Sequence, residues 1–268
     1  MNWFEALILG LVQGLTEFLP VSSSGHLELG KVILGVDAER SLIFTVIVHC
    51  ATVVSTIVVF RKDILVLFKE IFSIRWNDLI ALRFSENNKY SLKIILSMIP
   101  VVFLGLFFLD EIEALFTGRV VFVGSMLIVT SLLLASTYLI KSNNREITFL
   151  DSIIIGLAQA VAVIPGISRS GATIATGLLL GNKRELVTKF SFLMVLIPVL
   201  GATAKDILDA DLISSTTVSA SSLIIGFAAA FISGFFACKW MIGIVKKGNL
   251  IYFSIYCFII GLIAIFIG

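Results

Sequence analysis

Residues 10–26 read GLVQGLTEFLPVSSSGH, and this stretch decides the fold. It opens inside an apolar run, carries one carboxylate at Glu17, meets Pro20, and passes into three serines, a glycine and His26. A carboxylate at membrane depth is expensive and points to a functional role with a partner. A proline followed by Ser and Gly interrupts a helix. The run therefore reads as a helix that enters a membrane, breaks and turns back. Residues 156–173, GLAQAVAVIPGISRSGAT, repeat the pattern. Irregular backbone at membrane depth is tolerated only where protein or a water-filled cavity covers it, so the two breaks are expected to meet inside the molecule.

The rest of the chain supports a membrane setting. Of 268 residues, 58% are hydrophobic and 14% charged, and the mean hydropathy is +1.07. A soluble domain has roughly 45–50% apolar and about 25% charged residues. The formal charge of +2, with no basic patch carrying interleaved aromatics, argues against a nucleic-acid partner. Glu5 stands where a signal peptide carries basic residues, and no small-residue cleavage site follows, so the first apolar segment is expected to stay in the mature protein. Cys50, Cys238 and Cys257 are widely spaced in apolar stretches and read as small buried hydrophobes.

Six full spans are expected, near 43–60, 93–109, 119–140, 189–205, 217–240 and 249–268. The runs near 3–19 and 150–164 are expected to be re-entrant. Pro100 and Pro198 fall inside spans and are expected to kink them. The segment 61–93 holds Arg61, Lys62, Lys69, Arg75, Arg83, Lys89 and Lys93, which places it on the cytoplasmic side. Threading from that anchor puts 141–149, 182–189 and 239–247 inside, with 15 of the 20 Lys and Arg. Lys31, Arg40, Arg119 and Lys205, the acidic segments Asp110–Glu113 and Asp206–Asp211, and both termini fall outside.

A shift of 146 residues superimposes the halves. Gly10-Leu11 falls on Gly156-Leu157, Gln13 on Gln159, Ser22–Gly25 on Ser168–Gly171, Leu34-Gly35 on Leu180-Gly181, Glu39 on Glu185 and Phe44 on Phe190; the proline alone moves by one. The expected fold is an all-α polytopic membrane protein. It forms one membrane domain over 1–268, built as an inverted-topology repeat (about 1–145 and 146–268). Six transmembrane helices and two re-entrant, broken helical hairpins meet near the midplane. Such repeats place their sites where the broken helices meet.

Gln13 and Glu17 are four apart and share a helix face. His26 closes the serine-rich turn that follows. His49, in a span, is assigned a structural or supporting role. In the second copy Arg169 stands between Ser168 and Ser170. Gly166 and Gly171 let backbone N–H groups approach an anion, and the helix expected to follow adds its N-terminus. Arginine suits bidentate contact with phosphate oxygens. Together the loops offer a nucleophile (a serine or His26), a base (Glu17 or His26) and an oxyanion stabiliser (Arg169). Ser22, Ser24, Ser168, Ser170 and Thr173 add hydroxyls. This inventory suits an anionic headgroup on a lipid or a small solute. The absence of a P-loop from the sequence argues against coupling to ATP.

LGLVQGLTEFLPVSSSGH (9–26) and PGISRSGAT (165–173) resemble the two signature regions of the undecaprenyl-diphosphatase, or bacitracin-resistance, family. The resemblance runs over nearly the whole chain, including FSFLMVLIP (190–198). It implies a bacterial inner-membrane enzyme that removes the terminal phosphate of undecaprenyl diphosphate, with its site open to the outer face. It also implies a divalent cation, Mg²⁺ or Ca²⁺, with Glu17 as a candidate ligand. The family's acidic motif falls on Gln13 and Glu17, its serine and histidine on Ser23 and His26, and its arginine on Arg169. Its partners are a polyprenyl diphosphate lipid and the membrane. The small residues of 226–237 permit close helix packing, including a homodimer.

A secondary transporter or flippase for an anionic headgroup is the competing class, since it too uses inverted repeats. The asymmetry of the loops favours an enzyme: Val163, Arg169 and Ala172 stand where the first copy has Glu17, Ser23 and His26.

Overall fold

The structure, a computed structural model, describes residues 1–36, 42–73, 85–108, 111, 119–140, 145–208 and 218–268. Arg40, Arg75, Arg83, Lys141, Asp110, Glu113, Asp209 and Asp211, all used in the topology above, and Glu39 of the repeat lie outside the described residues.

The described residues form eleven α-helices. The first apolar run is α1 (Trp3–Phe18), followed after a break by α2 (Ser23–Leu34). Next come α3 (Leu42–Ser73), α4 (Glu86–Phe107) and α5 (Val120–Ser136). The second broken pair is α6 (Phe149–Val161) and α7 (Arg169–Leu179), followed by α8 (Arg184–Met194), α9 (Leu196–Leu208), α10 (Ala220–Lys247) and α11 (Ile251–Ile267).

Four helical stretches are long and apolar enough to cross a membrane: Leu42–Ser73, Glu86–Phe107, Arg184–Lys205 and Ala220–Lys247. The spans expected at 119–140 and 249–268 form helices of 17 residues each, about 25 Å long at 1.5 Å per residue. Their outer faces are apolar, and Leu132, Ile255 and Phe266 are more than half exposed. Such surfaces belong in lipid. The chain is a multi-pass, all-helical membrane protein.

The local rules that make these helices are visible in their caps. Asn2 and Glu5 form a capping box at the start of α1, and Thr148 and Asp151 form one at the start of α6. Ser22 and Ser168 cap α2 and α7 by accepting the N–H groups of Gly25 and Gly171. Each broken pair ends at a glycine with positive φ, Gly35 at +67° and Gly181 at +82°. Pro100 lies within α4 without ending it. Pro198 stands in the first turn of α9, and the helix of the span expected at 189–205 is interrupted at Val195. A proline ring clashes with the carbonyl four residues back, here that of Met194, so the helical ladder breaks there.

The two pieces of each broken pair pack on each other as a hairpin. α1 lies along α10, α6 along α4, and α5 along α11. Close approach is made possible by glycine: a Cβ on Gly10 would sit 2.5 Å from the Gly226 carbonyl oxygen, and one on Gly156 2.4 Å from that of Ser97. Beneath the first hairpin Ala6, Leu9, Phe44 and Val48 are fully buried in one cluster. Ile155, Phe190 and Met194 are fully buried beneath the second.

The helix ends gather on two sides. On one, Lys189 bonds to Asp63 at 2.6 Å, Lys246 to Glu185 at 3.3 Å and Lys183 approaches Glu146 at 3.8 Å. On the other, the Ser222 hydroxyl reaches the Met1 carbonyl, and Gly268 lies beside Val120. Each of these contacts joins two segments that the basic residues assign to the same side.

Candidate active site

The two breaks meet. Gly25 and Gly166 pass so closely that a Cβ on the first would be 3.3 Å from the other's Cα. The Ser170 hydroxyl donates to the Leu19 carbonyl at 3.3 Å.

Glu17 occupies the last turn of α1, with its side chain 8% exposed. One carboxylate oxygen, Oε1, accepts from the Arg169 guanidinium at the start of α7. The other, Oε2, accepts from Ser23 Oγ at 2.6 Å and from Gln13 Nε2 at 2.9 Å. The structure therefore brings Gln13, Glu17, Ser23 and Arg169 together. The i,i+4 spacing aligns Gln13 with Glu17, and the helix break turns Ser23 back onto the end of α1. Gln13 is fully buried, and its Oε1 has no partner among the described residues.

An open pocket adjoins the ion pair. Glu17, Arg169 and Ser170 line one side, Thr52, Val53 and Thr56 of α3 another, and Ser191, Phe192, Val195, Leu196 and Val199 the α8–α9 junction. The lining thus combines an ion pair and hydroxyls with apolar side chains, a mixture that suits an amphipathic ligand with an anionic head. The first N–H groups of α2 and α7 have no intrahelical acceptor and start at these loops, which adds to the site's preference for an anion.

Several residues of the motifs are engaged in holding the loops. Ser22 caps α2 at φ +71°. Ser22 and Ser24 hydroxyls are 3.4 Å apart, and those of Ser168 and Ser170 are the same distance apart. Thr173 Oγ1 lies 2.6 Å from Ser191 Oγ. Gly166 adopts φ +94°, with Val123 backbone where a side chain would go. His26 turns away from Glu17: its Nδ1 lies 2.9 Å from the Ser22 carbonyl, and its Nε2 2.9 Å from the Tyr256 hydroxyl. His49 Nδ1 bonds to the Thr45 carbonyl of its own helix.

Sequence reasoning did not find Thr130, whose hydroxyl donates to the Gly166 carbonyl and accepts the Ser168 N–H, both at 3.0 Å. One side chain of α5 thus fixes the loop that presents Arg169. Thr52, Thr56 and Tyr256 were also missed. Each is a lone polar residue in an apolar helix, and only tertiary packing shows where it faces.

A carboxylate 2.6 Å from a serine can take its proton, and a guanidinium beside it can hold a phosphoryl group. Among the described residues no three His, Cys, Asp or Glu side chains cluster as a metal cage.

Fold and site define a polytopic membrane protein whose charged residues meet where two broken helical hairpins touch. The chain belongs to the bacitracin resistance protein BacA family, whose model matches residues 6–263. It is 51% identical over 267 residues to a protein of Christiangramia forsetii named undecaprenyl-diphosphatase, covering 99% of this chain and 98% of that one. A Bacteroides fragilis protein of the same name is 50% identical, covering 100% of this chain and 99% of that one. One from Methanobrevibacter smithii, also so named, is 38% identical, covering 100% and 98%.

Proposed function

We propose that this protein hydrolyses undecaprenyl diphosphate to undecaprenyl phosphate and inorganic phosphate, returning the lipid carrier to cell-wall polymer synthesis. The observation that carries the reading to this chain's own residues is Glu17, bonded through one oxygen to Ser23 and through the other to Arg169. The names of the full-length relatives support a hydrolase over a transporter.

In this mechanism the terminal phosphate displaces Glu17 from the Arg169 guanidinium. Backbone N–H groups at the starts of α2 and α7 hold its other oxygens. Ser23 Oγ attacks the phosphorus and gives its proton to Glu17. The bond from phosphorus to the bridging oxygen breaks, that oxygen takes the proton from Glu17, and undecaprenyl phosphate leaves. Water then attacks the phosphoserine, the bond from phosphorus to Ser23 Oγ breaks, and the water's proton, first taken up by His26, passes on to Ser23 Oγ as inorganic phosphate departs. His26, three residues after Ser23 and so on the same helix face, takes the water's proton. Holding the reacting groups in line and neutralising charge supply most of the acceleration in phosphoryl transfer.

A divalent cation, Mg²⁺ or Ca²⁺, belongs to the same proposal. The donors fit an ion that arrives with the diphosphate: the Glu17 carboxylate and the unpartnered, buried Gln13 Oε1 supply oxygens, and the substrate supplies the rest. Such an ion would neutralise charge on the diphosphate.

The fold is proposed to be an inverted repeat with halves near 1–145 and 146–268. The matched caps, Asn2/Glu5 with Thr148/Asp151 and Ser22 with Ser168, support it. So do buried pairs at the same 146-residue shift, Leu9 with Ile155 and Phe44 with Phe190. The ion pairs among basic helix ends support a cytoplasmic side opposite the termini; a bacterial inner membrane, with the site open outward, belongs to the same proposal. A homodimer through small-residue faces is part of the proposal; α10 already uses Gly226 and Gly234 within the chain.

The test is phosphate release from a long-chain isoprenyl diphosphate by the purified protein, with and without chelator. Arg169→Ala and Glu17→Ala are each expected to abolish it. Full activity in both variants would remove the site assignment.

A further inference from the structure

His26 is held at both ring nitrogens. Nδ1 faces the Ser22 carbonyl at 2.9 Å. A carbonyl only accepts, so Nδ1 carries the hydrogen. The neutral ring is therefore the Nδ1–H tautomer, with its lone pair on Nε2, an assignment made from the hydrogen-bond network. That lone pair accepts the Tyr256 hydroxyl at 2.9 Å. The two rings are nearly parallel, 11° apart with centroids separated by 5.4 Å.

Tyr256 comes from α11, outside both motifs. The same helix is tied to the first break and to α5 by its neighbours. Cys257 Sγ approaches the Pro20 carbonyl at 3.8 Å, and the Ser254 hydroxyl donates to the Ser131 carbonyl at 2.8 Å. The phenol is thus delivered to His26 from a helix fixed on two sides. A tyrosine on a membrane helix is commonly an interfacial anchor whose hydroxyl meets water. Tyr256 is 41% exposed, yet its hydroxyl turns inward to the imidazole.

We infer that Tyr256 is the positioning residue for His26. It holds the imidazole in the Nδ1–H tautomer, with Nε2 kept as an unprotonated acceptor on the helix face shared with Ser23. The inference rests on the reading of His26 as the group that takes the proton of the attacking water. When that water arrives it replaces the phenol at Nε2. The water's proton passes to Nε2, and Tyr256 neither gains nor loses one. An imidazole without the phenol rotates about its side-chain bonds and spends less time in the productive orientation.

The experiment compares Tyr256→Phe and His26→Ala with the unaltered full-length protein, in detergent with a long-chain isoprenyl diphosphate. Tyr256→Phe keeps the ring and removes the hydroxyl. Its kcat is expected to fall about tenfold, a fraction of the roughly 10²–10⁴-fold contribution of a positioned acid–base group. KM is expected to stay within about twofold, because the phenol touches no phosphate, and the melting temperature is expected to hold. An unchanged kcat in Tyr256→Phe together with an impaired His26→Ala overturns the positioning role alone. A fall in kcat accompanied by a raised KM or a lower melting temperature assigns Tyr256 to packing and also overturns it. Wild-type turnover in His26→Ala removes the reading of His26, and this inference with it.

Discussion

Glu17 meets three partners through two oxygens, and each partner has a different consequence. In the proposed mechanism Gln13 aims the carboxylate, Ser23 gives it a proton to accept, and Arg169 neutralises it until a phosphate takes its place. Glu17→Gln keeps the shape and removes the base. Its kcat is expected to fall by about 10²–10⁴, measured as phosphate release at saturating lipid. Arg169→Lys is expected not to restore Arg169→Ala, because a lysine ammonium lacks the planar fork that grips two phosphate oxygens. Wild-type turnover in either variant contradicts these roles. Glu17 and Arg169 were legible in the sequence because charge in an apolar run is costly. Their ion pair was not, since 152 residues separate them and nothing local to either names the other. Thr130 gave no signal at all: a threonine inside VGSMLIVTSLLLAS reads as an ordinary helix residue, and its two bonds exist only because the second loop lies against α5.

At the scale of helices, the breaks are held by caps whose chemistry makes separate predictions. Ser22 carries a positive φ of 71°, a region that glycine enters freely and alanine does not. Ser22→Gly is therefore expected to destabilise less than Ser22→Ala, which loses the cap, typically about 1 kcal/mol, and keeps the strain. Thermal unfolding in detergent gives the order, and a more stable alanine variant contradicts it. Gly10→Ala and Gly156→Ala push a methyl to within 2.5 Å and 2.4 Å of facing carbonyl oxygens. Each is expected to cost about 1–3 kcal/mol by the same measurement. The prolines marked where helices fail, but not the last helical residue. α1 ends at Phe18, two residues before Pro20, and α6 at Val161, four before Pro165. The turn at Val195 was foreseen only as a kink from Pro198. That it forms the apolar wall of the cavity depends on how α8 and α9 lie against α3.

Across the whole molecule, the hydropathy pattern carried the helical architecture, because a bilayer demands long apolar helices. The length of α5 was less legible: Tyr138, Leu139 and Ile140 continue the apolar run past Ser136, where the α-helical ladder gives way to a 3-10 turn. The proposed orientation has a direct check. With the three native cysteines replaced by alanine, Ser221→Cys is expected to react with a membrane-impermeant maleimide on intact cells, and Lys247→Cys only after the membrane is opened. The reverse pattern would invert the molecule and close the site to the outer face. The central claim, that Glu17, Ser23 and Arg169 form a hydrolytic centre with Ser23 as its nucleophile, is tested most directly by rapid quench with a substrate labelled in its terminal phosphate. The account predicts transient labelled protein with the label mapped to Ser23 and none in Ser23→Ala. Steady phosphate release with no labelled protein at any quench time would contradict it.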